Sequence, residues 1–286
     1  MSLAELHGKL SPDHPESINE RSEDVLTSSI FGGFRYLGWE SGLIGWLKES
    51  QLAWGDPSEA WNGKIVRVAY SFWPRLKNGR QPDVALLILF DDRQPLVVAI
   101  EVKYGSGPSD WEIQGQTDER GLTGNQIADE IRGLRRMTDS QILEWFKSDP
   151  KRESDNSARA LEIAPPPEPL RRIHLFVSPE GSRPSYHELA RSRLDARSAT
   201  IPAYWLSWTR LGRHVEAGIN DSDPGRAALS LDMYRLLQHR NLFPFEGFQV
   251  APWSSNSTAS FWDGDAQAWW QLESPKLGEP YFWETK

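Results

Sequence analysis

The sequence predicts an α/β fold in which a mixed central β-sheet is flanked by helices. Two apolar runs, Val84–Phe90 and Leu96–Val102, flank a short polar break and predict a β-hairpin. Both faces of each run are apolar, so we expect these strands in the middle of the sheet, covered on both sides. A covering helix is predicted before them from an apolar stripe at helical spacing, formed by Leu26, Ile30, Phe34 and Leu37.

The other elements are predicted from periodicity and from capping residues. In chain order they are a loose helical segment over 38–62, a strand over 64–73, a helix over 124–137, a strand over 172–178, a helix over 184–198, a strand over 201–208 and a helix over 223–240. Ser22 is expected to cap the first helix, and Asp223 followed by Pro224 suits the start of the last one. The expected buried side of that last helix consists of Ala228, Leu231, Tyr234 and Leu237.

Length predicts one large domain with extensions. We expect a flexible arm over 1–20, a main domain over 21–240 and an aromatic-rich extension over 241–286 that packs on the core. That extension is acidic and lacks periodicity. It either wraps over the core to cover apolar surface or offers a stacking surface for bases or a partner protein.

Composition excludes several classes of protein. The absence of cysteine excludes disulfides and thiolate metal sites, and the six histidines form no zinc-like pair. No serine-hydrolase elbow and no phosphate-binding loop of the nucleotide triphosphatases is present. The polar start and the lack of a run near the roughly 20 apolar residues of a membrane span predict a soluble, cytoplasmic protein without a membrane partner.

Charged residues gather at one end of the predicted hairpin: Asp83 begins its first strand, and Glu101 and Lys103 finish its second. Side chains alternate along a strand, so Glu101 and Lys103 share a face. If the hairpin folds symmetrically about Arg93, Asp83 lies opposite Lys103 and roughly 7–8 Å from Glu101, whereas a slip of one residue would move Asp83 to the other face. Carboxylates this close repel unless a cation separates them, and oxygen ligands without sulfur suit Mg²⁺ or Mn²⁺.

Pro82-Asp83 and Glu101-Val102-Lys103, separated by residues 84–100, resemble the motif of the PD-(D/E)xK nuclease superfamily. The resemblance covers residues 20–180 approximately and implies a restriction-endonuclease-like α-β-β-β-α-β core. It implies a Mg²⁺- or Mn²⁺-dependent nuclease that hydrolyses DNA in restriction, repair or defence against foreign DNA. The implied catalytic residues are Asp83, Glu101, Lys103 and Gln126, and the implied metal ligands are Glu23, Asp83, Glu101 and the backbone carbonyl of Val102.

Several of these assignments have competing interpretations. Glu23 continues the apolar stripe of the first helix and matches a glutamate that joins the metal site in the superfamily, but it is also a first-turn acid that suits the helix dipole. Asp24 is the nearest alternative to Glu23 as the metal ligand from this helix. Gln126 matches a glutamine that lies near metal-bound water or phosphate in the superfamily, although an ordinary surface residue is the alternative. Glu130 stands where some branches have a tyrosine.

The net charge of −8 disfavours a nucleic-acid enzyme, but phosphate binding needs only a local positive field. A basic connection before the hairpin is either a solvated loop or a rim for phosphates; it contains Arg75, Lys77 and Arg80. The alternative function is a nuclease-fold subunit with weak or lost cleavage that binds protein partners or DNA in a larger complex. The sequence leaves homo-oligomerisation open, and it also allows that the charged strand ends are only solvated.

Overall fold

A six-stranded mixed sheet forms the centre of the computed structural model, which describes residues 18–56, 60–104, 122–147 and 169–243. Most of the predicted arm and the predicted extension from residue 244 onward lie outside these ranges, so their predictions stay untested. Within the ranges, no helix has both the length and the apolar character that crossing a membrane requires.

Helices and strands are interspersed along the described part of the chain. The helices are α1 (Ile18–Leu37), α2 (Leu43–Leu47), α3 (Gln126–Arg136), α4 (Asp139–Leu143), α5 (Tyr186–Ser192), α6 (Leu211–Glu216) and α7 (Pro224–His239). The strands are β1 (Gln51–Trp54), β2 (Ile65–Phe72), β3 (Val84–Phe90), β4 (Leu96–Val102), β5 (Arg171–Ser178) and β6 (Ala203–Ser207). Short 3₁₀ turns occur at Glu144–Phe146, Ser198–Thr200, Trp208–Arg210 and Ala217–Asn220.

The strands lie side by side in the order β1-β6-β5-β4-β3-β2. Pairing is antiparallel through β2, β3 and β4, parallel through β4, β5 and β6, and antiparallel again between β6 and β1. The predicted α/β architecture with a mixed, helix-flanked sheet is therefore confirmed. The hairpin strands β3 and β4 begin and end where the apolar runs predict, and they have a neighbour on either side.

The hairpin register differs from the symmetric one that the sequence suggested. Val84 pairs with Ile100, so the hairpin is centred on residue 92 instead of Arg93, and each predicted pairing partner is wrong by two residues. The backbone of Lys64 and the Asp91 amide extend the β2–β3 pairing beyond β3, which makes the connection asymmetric. A shift of two residues keeps every side chain on its predicted face, because side chains alternate with a period of two.

Each face of the sheet covers its own hydrophobic core. On one face, Val84 and Ile100 pack with the buried stripe of α1 and with parts of α2, α6 and α7. On the other face, Ala85 and Ala99 pack with the predicted stripe of α3. Because both faces are covered, a polar side chain on β3 or β4 can reach water only at the strand ends.

Three local predictions are wrong in whole or in part. The first helix begins at Ile18, so Ser22 lies inside it; serine is tolerated within a helix, and residues 18–21 include no helix breaker. The segment over 38–62 contains the helix α2, as predicted, but it also contains a short edge strand, β1, that pairs with β6. On α7 the predicted Leu237 is buried, but the other buried residues are Ser230 and Met233, because the Met233 side chain packs over Gly33 of α1.

Candidate metal centre

Three acidic side chains meet at one end of the hairpin strands. Asp83 immediately precedes β3, Glu101 lies near the end of β4, and Glu23 is contributed by α1. One carboxylate oxygen from each lies within 4.8 Å of the others. The exposed fractions of Glu23, Asp83 and Glu101 are 9%, 8% and 2%. The structure therefore brings together the three acidic ligands that the sequence predicted.

The three acids reach this point from opposite faces of the sheet. Asp83 and Glu101 share the strand face that α3 covers, because each lies two residues from Ala85 or Ala99, which pack on that face. Glu23 belongs to α1, which packs on the other face. Side chains from the two layers can meet here because β3 and β4 end at this edge.

Lys103, the first residue after β4, lies between two of the acids. Its Nζ atom is 2.8 Å from Glu23 Oε1 and 2.8 Å from Glu101 Oε1. The Trp208 indole donates a hydrogen bond of 3.1 Å to the Lys103 carbonyl, which fixes the backbone. Burial lowers the pKa of Lys103, but the charges of the surrounding carboxylates outweigh it and raise that pKa above its ordinary value. The side chain is therefore a permanent ammonium.

Asp83 is held by backbone groups of neighbouring elements. Its Oδ2 atom accepts a hydrogen bond of 2.8 Å from the Val102 amide. Its carbonyl accepts one of 2.9 Å from the amide of Trp73, a left-handed residue with φ of 49°. The Trp73 indole donates to Asp24 Oδ1 at 3.3 Å, whereas Glu23 faces the cluster. The geometry thus places Glu23 in the cluster and Asp24 on Trp73.

The acids are electrostatically strained in the absence of a cation. Burial and the charge of Glu101 raise the pKa of Asp83 well above its ordinary value. Burial, together with the charge and hydrogen bond of Glu130, raises the pKa of Glu101 in the same way. Among the described residues, no donor reaches the buried Glu101 Oε2 atom. Each of these features would be relieved by a positive charge at the cluster.

Gln126, Glu130 and His174 extend the cluster into the core. The Asn125 side chain caps α3 by accepting from the Ala128 amide, which sets Gln126 as the first helical residue. Gln126 Nε2 donates to Glu101 Oε1 and, at 3.3 Å, to Glu130 Oε1. The amide predicted to face water or phosphate therefore contacts a predicted metal ligand.

Glu130 and His174 form a buried pair that sequence reasoning missed. Glu130 Oε2 lies 2.8 Å from His174 Nε2, and neither side chain has exposed surface. Burial lowers the pKa of His174 to about 3, so the imidazole is neutral. Burial and the charge of Asp83 raise the pKa of Glu130 to about 7. The available signal was the spacing of Gln126 and Glu130 on one helix face, but nothing in the sequence pairs α3 with His174.

The donor set fits a hard divalent cation. Every side-chain ligand is a carboxylate oxygen, the kind that Mg²⁺ and Mn²⁺ prefer. When ionised, three carboxylates beside one ammonium leave two uncompensated negative charges, which one divalent ion would balance. The orphaned Glu101 Oε2 atom supplies an unused acceptor.

In comparisons with known proteins, no family model matches the chain, and no curated protein or solved structure shows significant similarity to it. Its function is therefore inferred from the chemistry of the cluster itself.

Proposed function

We propose that the chain is a metal-dependent nuclease that hydrolyses DNA phosphodiester bonds, with Mg²⁺ or Mn²⁺ held by Glu23, Asp83 and Glu101. One observation carries the proposal: three buried carboxylates and a lysine converge where the hairpin strands end. In a purely structural cluster, Lys103 would be one cation beside three buried acids, so the cost of desolvating the acids would be only partly compensated and the fold would lose stability. A cation-binding function accounts for them.

The order of the elements supports a restriction-endonuclease-like fold. α1 precedes the antiparallel strands β2, β3 and β4, and α3 then leads to β5, which is parallel to β4. This α-β-β-β-α-β order is the one implied by the resemblance of Pro82-Asp83 and Glu101-Val102-Lys103 to the PD-(D/E)xK motif. The strands β6 and β1 extend the sheet beyond that core.

A bound Mg²⁺ or Mn²⁺ would polarise the phosphate and lower the pKa of a metal-bound water toward neutrality. Lys103 supplies a fixed positive charge where negative charge grows on the phosphate. The charges of the neighbouring carboxylates raise the pKa of Lys103, so its side chain is an ammonium in the metal-free protein, and we assign it charge stabilisation and orientation of the phosphate. A compact ammonium held by two carboxylates suits this role.

The surrounding groups orient the ligands. The Val102 amide fixes one oxygen of Asp83, and Gln126 fixes one oxygen of Glu101. Glu130 holds the Gln126 amide from the other side. These contacts pre-organise the carboxylates, which is the usual function of groups that surround metal ligands. The ligand role of the Val102 carbonyl stays a prediction.

The test is cleavage of plasmid and linear DNA with Mg²⁺ or Mn²⁺, comparing wild type with Lys103→Ala and with the exposed Lys48→Ala as a matched control. We expect metal-dependent cutting by wild type and by the control, and a rate at least about 10²-fold lower for Lys103→Ala. Equal cutting by all three would refute the site. Absence of cutting, together with stabilisation by the metal, would support a non-cleaving subunit of a larger complex.

A further inference from the structure

We propose that a cleft between the β2–β3 connection and the end of α3 binds backbone phosphates of the DNA that flanks the cleaved bond. The cleft is lined by Lys77, Asn78, Gly79 and Arg136 and has a volume of about 610 Å³. The inference rests on the proposed nuclease function and deepens it, because it assigns the surface that holds the substrate outside the metal centre.

The cleft presents two cations, Lys77 and Arg136, that form no ion pair with a carboxylate of the described residues. Both residues are exposed. A lysine and an arginine that line one concave surface form a site for an anion that carries several oxygen acceptors. Backbone phosphates have this chemistry.

Nearby acids are already paired with other cations. Asp129 of α3 pairs with Arg80 at 3.1 Å, and its other oxygen accepts from the amide and hydroxyl of Thr123. Asp139 of α4 pairs with Arg172. Among the described residues, the positive charge of the cleft is therefore surplus in its surroundings, although the whole chain carries −8. A local surplus on an acidic protein directs a polyanion to one surface.

The cleft is preformed because its loop is anchored on the helix. The buried Asn78 side chain donates a hydrogen bond of 2.6 Å to the Asp129 carbonyl. Asn78 also lies against Gly133, where a Cβ atom would be 2.6 Å from its Oδ1 atom. The Leu76 amide closes the loop by donating to the Arg80 carbonyl at 2.8 Å. A ligand would therefore meet a surface whose backbone is already ordered, which lowers the entropic cost of binding.

The same helix connects the cleft to the metal centre. α3 has 11 residues, with Gln126 at its first position and Arg136 at its last. At about 1.5 Å per residue, its ends are about 15 Å apart. This distance corresponds to about four base-pair steps of B-DNA at 3.4 Å each. One duplex can therefore occupy the metal centre and the cleft together, with the cleft contacting backbone about four steps from the cleaved bond.

The test compares the salt dependence of DNA binding in wild type and in the double variant Lys77→Gln/Arg136→Gln. Fluorescence anisotropy with a labelled duplex of about 20 base pairs, in EDTA and 50–200 mM NaCl, gives the dissociation constants. Two lost phosphate contacts should reduce the slope of log affinity against log salt by about 1.8. Between 50 and 200 mM, wild type should then lose about twelve-fold more affinity than the double variant.

The matched control is Lys48→Gln/Arg235→Gln, which removes two exposed cations on the other side of the sheet and should leave the slope unchanged. Equal slopes for all three proteins, or no binding by wild type, would overturn the cleft assignment. Metal-dependent cleavage is measured in parallel. If the protein cleaves DNA but the slopes are equal, the nuclease proposal holds and the cleft assignment is wrong. If the slope changes as expected but no cleavage occurs, the cleft binds DNA and the nuclease proposal is wrong.

Discussion

Replacing Glu130 by glutamine should stabilise the metal-free protein at pH 8. Glu130 is fully buried beside Glu101, and its pKa is raised to about 7. At pH 8 the wild-type side chain must carry a charge in an environment that disfavours it. Glutamine has nearly the same shape and keeps a group that can hydrogen bond to the neutral His174, 2.8 Å away in the wild type, so the main change is the loss of that charge.

The size of the effect follows from the pKa. Each pKa unit is worth about 1.4 kcal/mol, so a rise from 4.5 to about 7 corresponds to about 3 kcal/mol. An acid with a raised folded-state pKa stabilises the fold fully below its unfolded pKa, and this contribution is lost as the pH rises through the folded pKa. The free energy of unfolding of wild type, relative to that of the variant, should therefore fall by about 3 kcal/mol between pH 4.5 and about 7.

The assay is urea unfolding in EDTA at several pH values from 5 to 8. The quantity to follow is the free energy of unfolding of the variant minus that of wild type, and how this difference changes with pH. Any effect of the amide that does not depend on pH is the same at every point and cancels. Relief of the neighbouring Glu101 would add to the difference with the same sign. The exposed Glu188→Gln variant should follow wild type at every pH. Parallel curves for Glu130→Gln and wild type would refute the electrostatic account of the cluster.

Two further predictions concern the metal centre and the packing of the cleft. Asp83→Asn should abolish stabilisation by Mn²⁺, measured by calorimetry. With free Mn²⁺ at 100 times its Kd, wild type should gain about 2.7 kcal/mol in the free energy of unfolding, or roughly 5–10 °C in Tm. The exposed Asp232→Asn should keep the full rise, and an equal rise in Asp83→Asn would contradict the ligand assignment. Gly133→Ala should destabilise the fold by about 1–2 kcal/mol in urea unfolding. The new Cβ atom would lie 2.6 Å from the anchored Asn78 side chain, and the cost of this overpacking exceeds the stability that alanine gains from its higher helix propensity. Gly181→Ala, with nothing within 4 Å of the new Cβ atom, should be close to neutral, and equal stability of the two variants would refute the close approach.

Patterns within single elements made much of the fold predictable. The bounds of β3 and β4 follow from uninterrupted apolar runs, and the stripes of α1 and α3 follow from helical periodicity. Asp223 caps α7 as its residue type suggests, accepting from the amides of Gly225 and Arg226. Prediction failed where packing between elements decides, as for β1, which depends on β6, and for the buried side of α7, which depends on Gly33.

The sequence by itself determined that Asp83, Glu101 and Lys103 lie at one end of the hairpin and that Glu101 and Lys103 share a face, because alternation along a strand is a local property of the backbone. The face of Asp83 depended on the pairing of the two strands. The sequence could not determine the register, since a shift of two residues leaves the faces unchanged. Only the tertiary structure placed Glu23 in the cluster and Asp24 on Trp73.

Only the tertiary structure also brought Glu130 next to His174, and Lys77 to the same cleft as Arg136. In each case the partners lie on elements far apart in the chain. Their contacts are fixed by how helices dock on the two faces of the sheet, and that docking depends on the packing of whole cores, which no local pattern encodes.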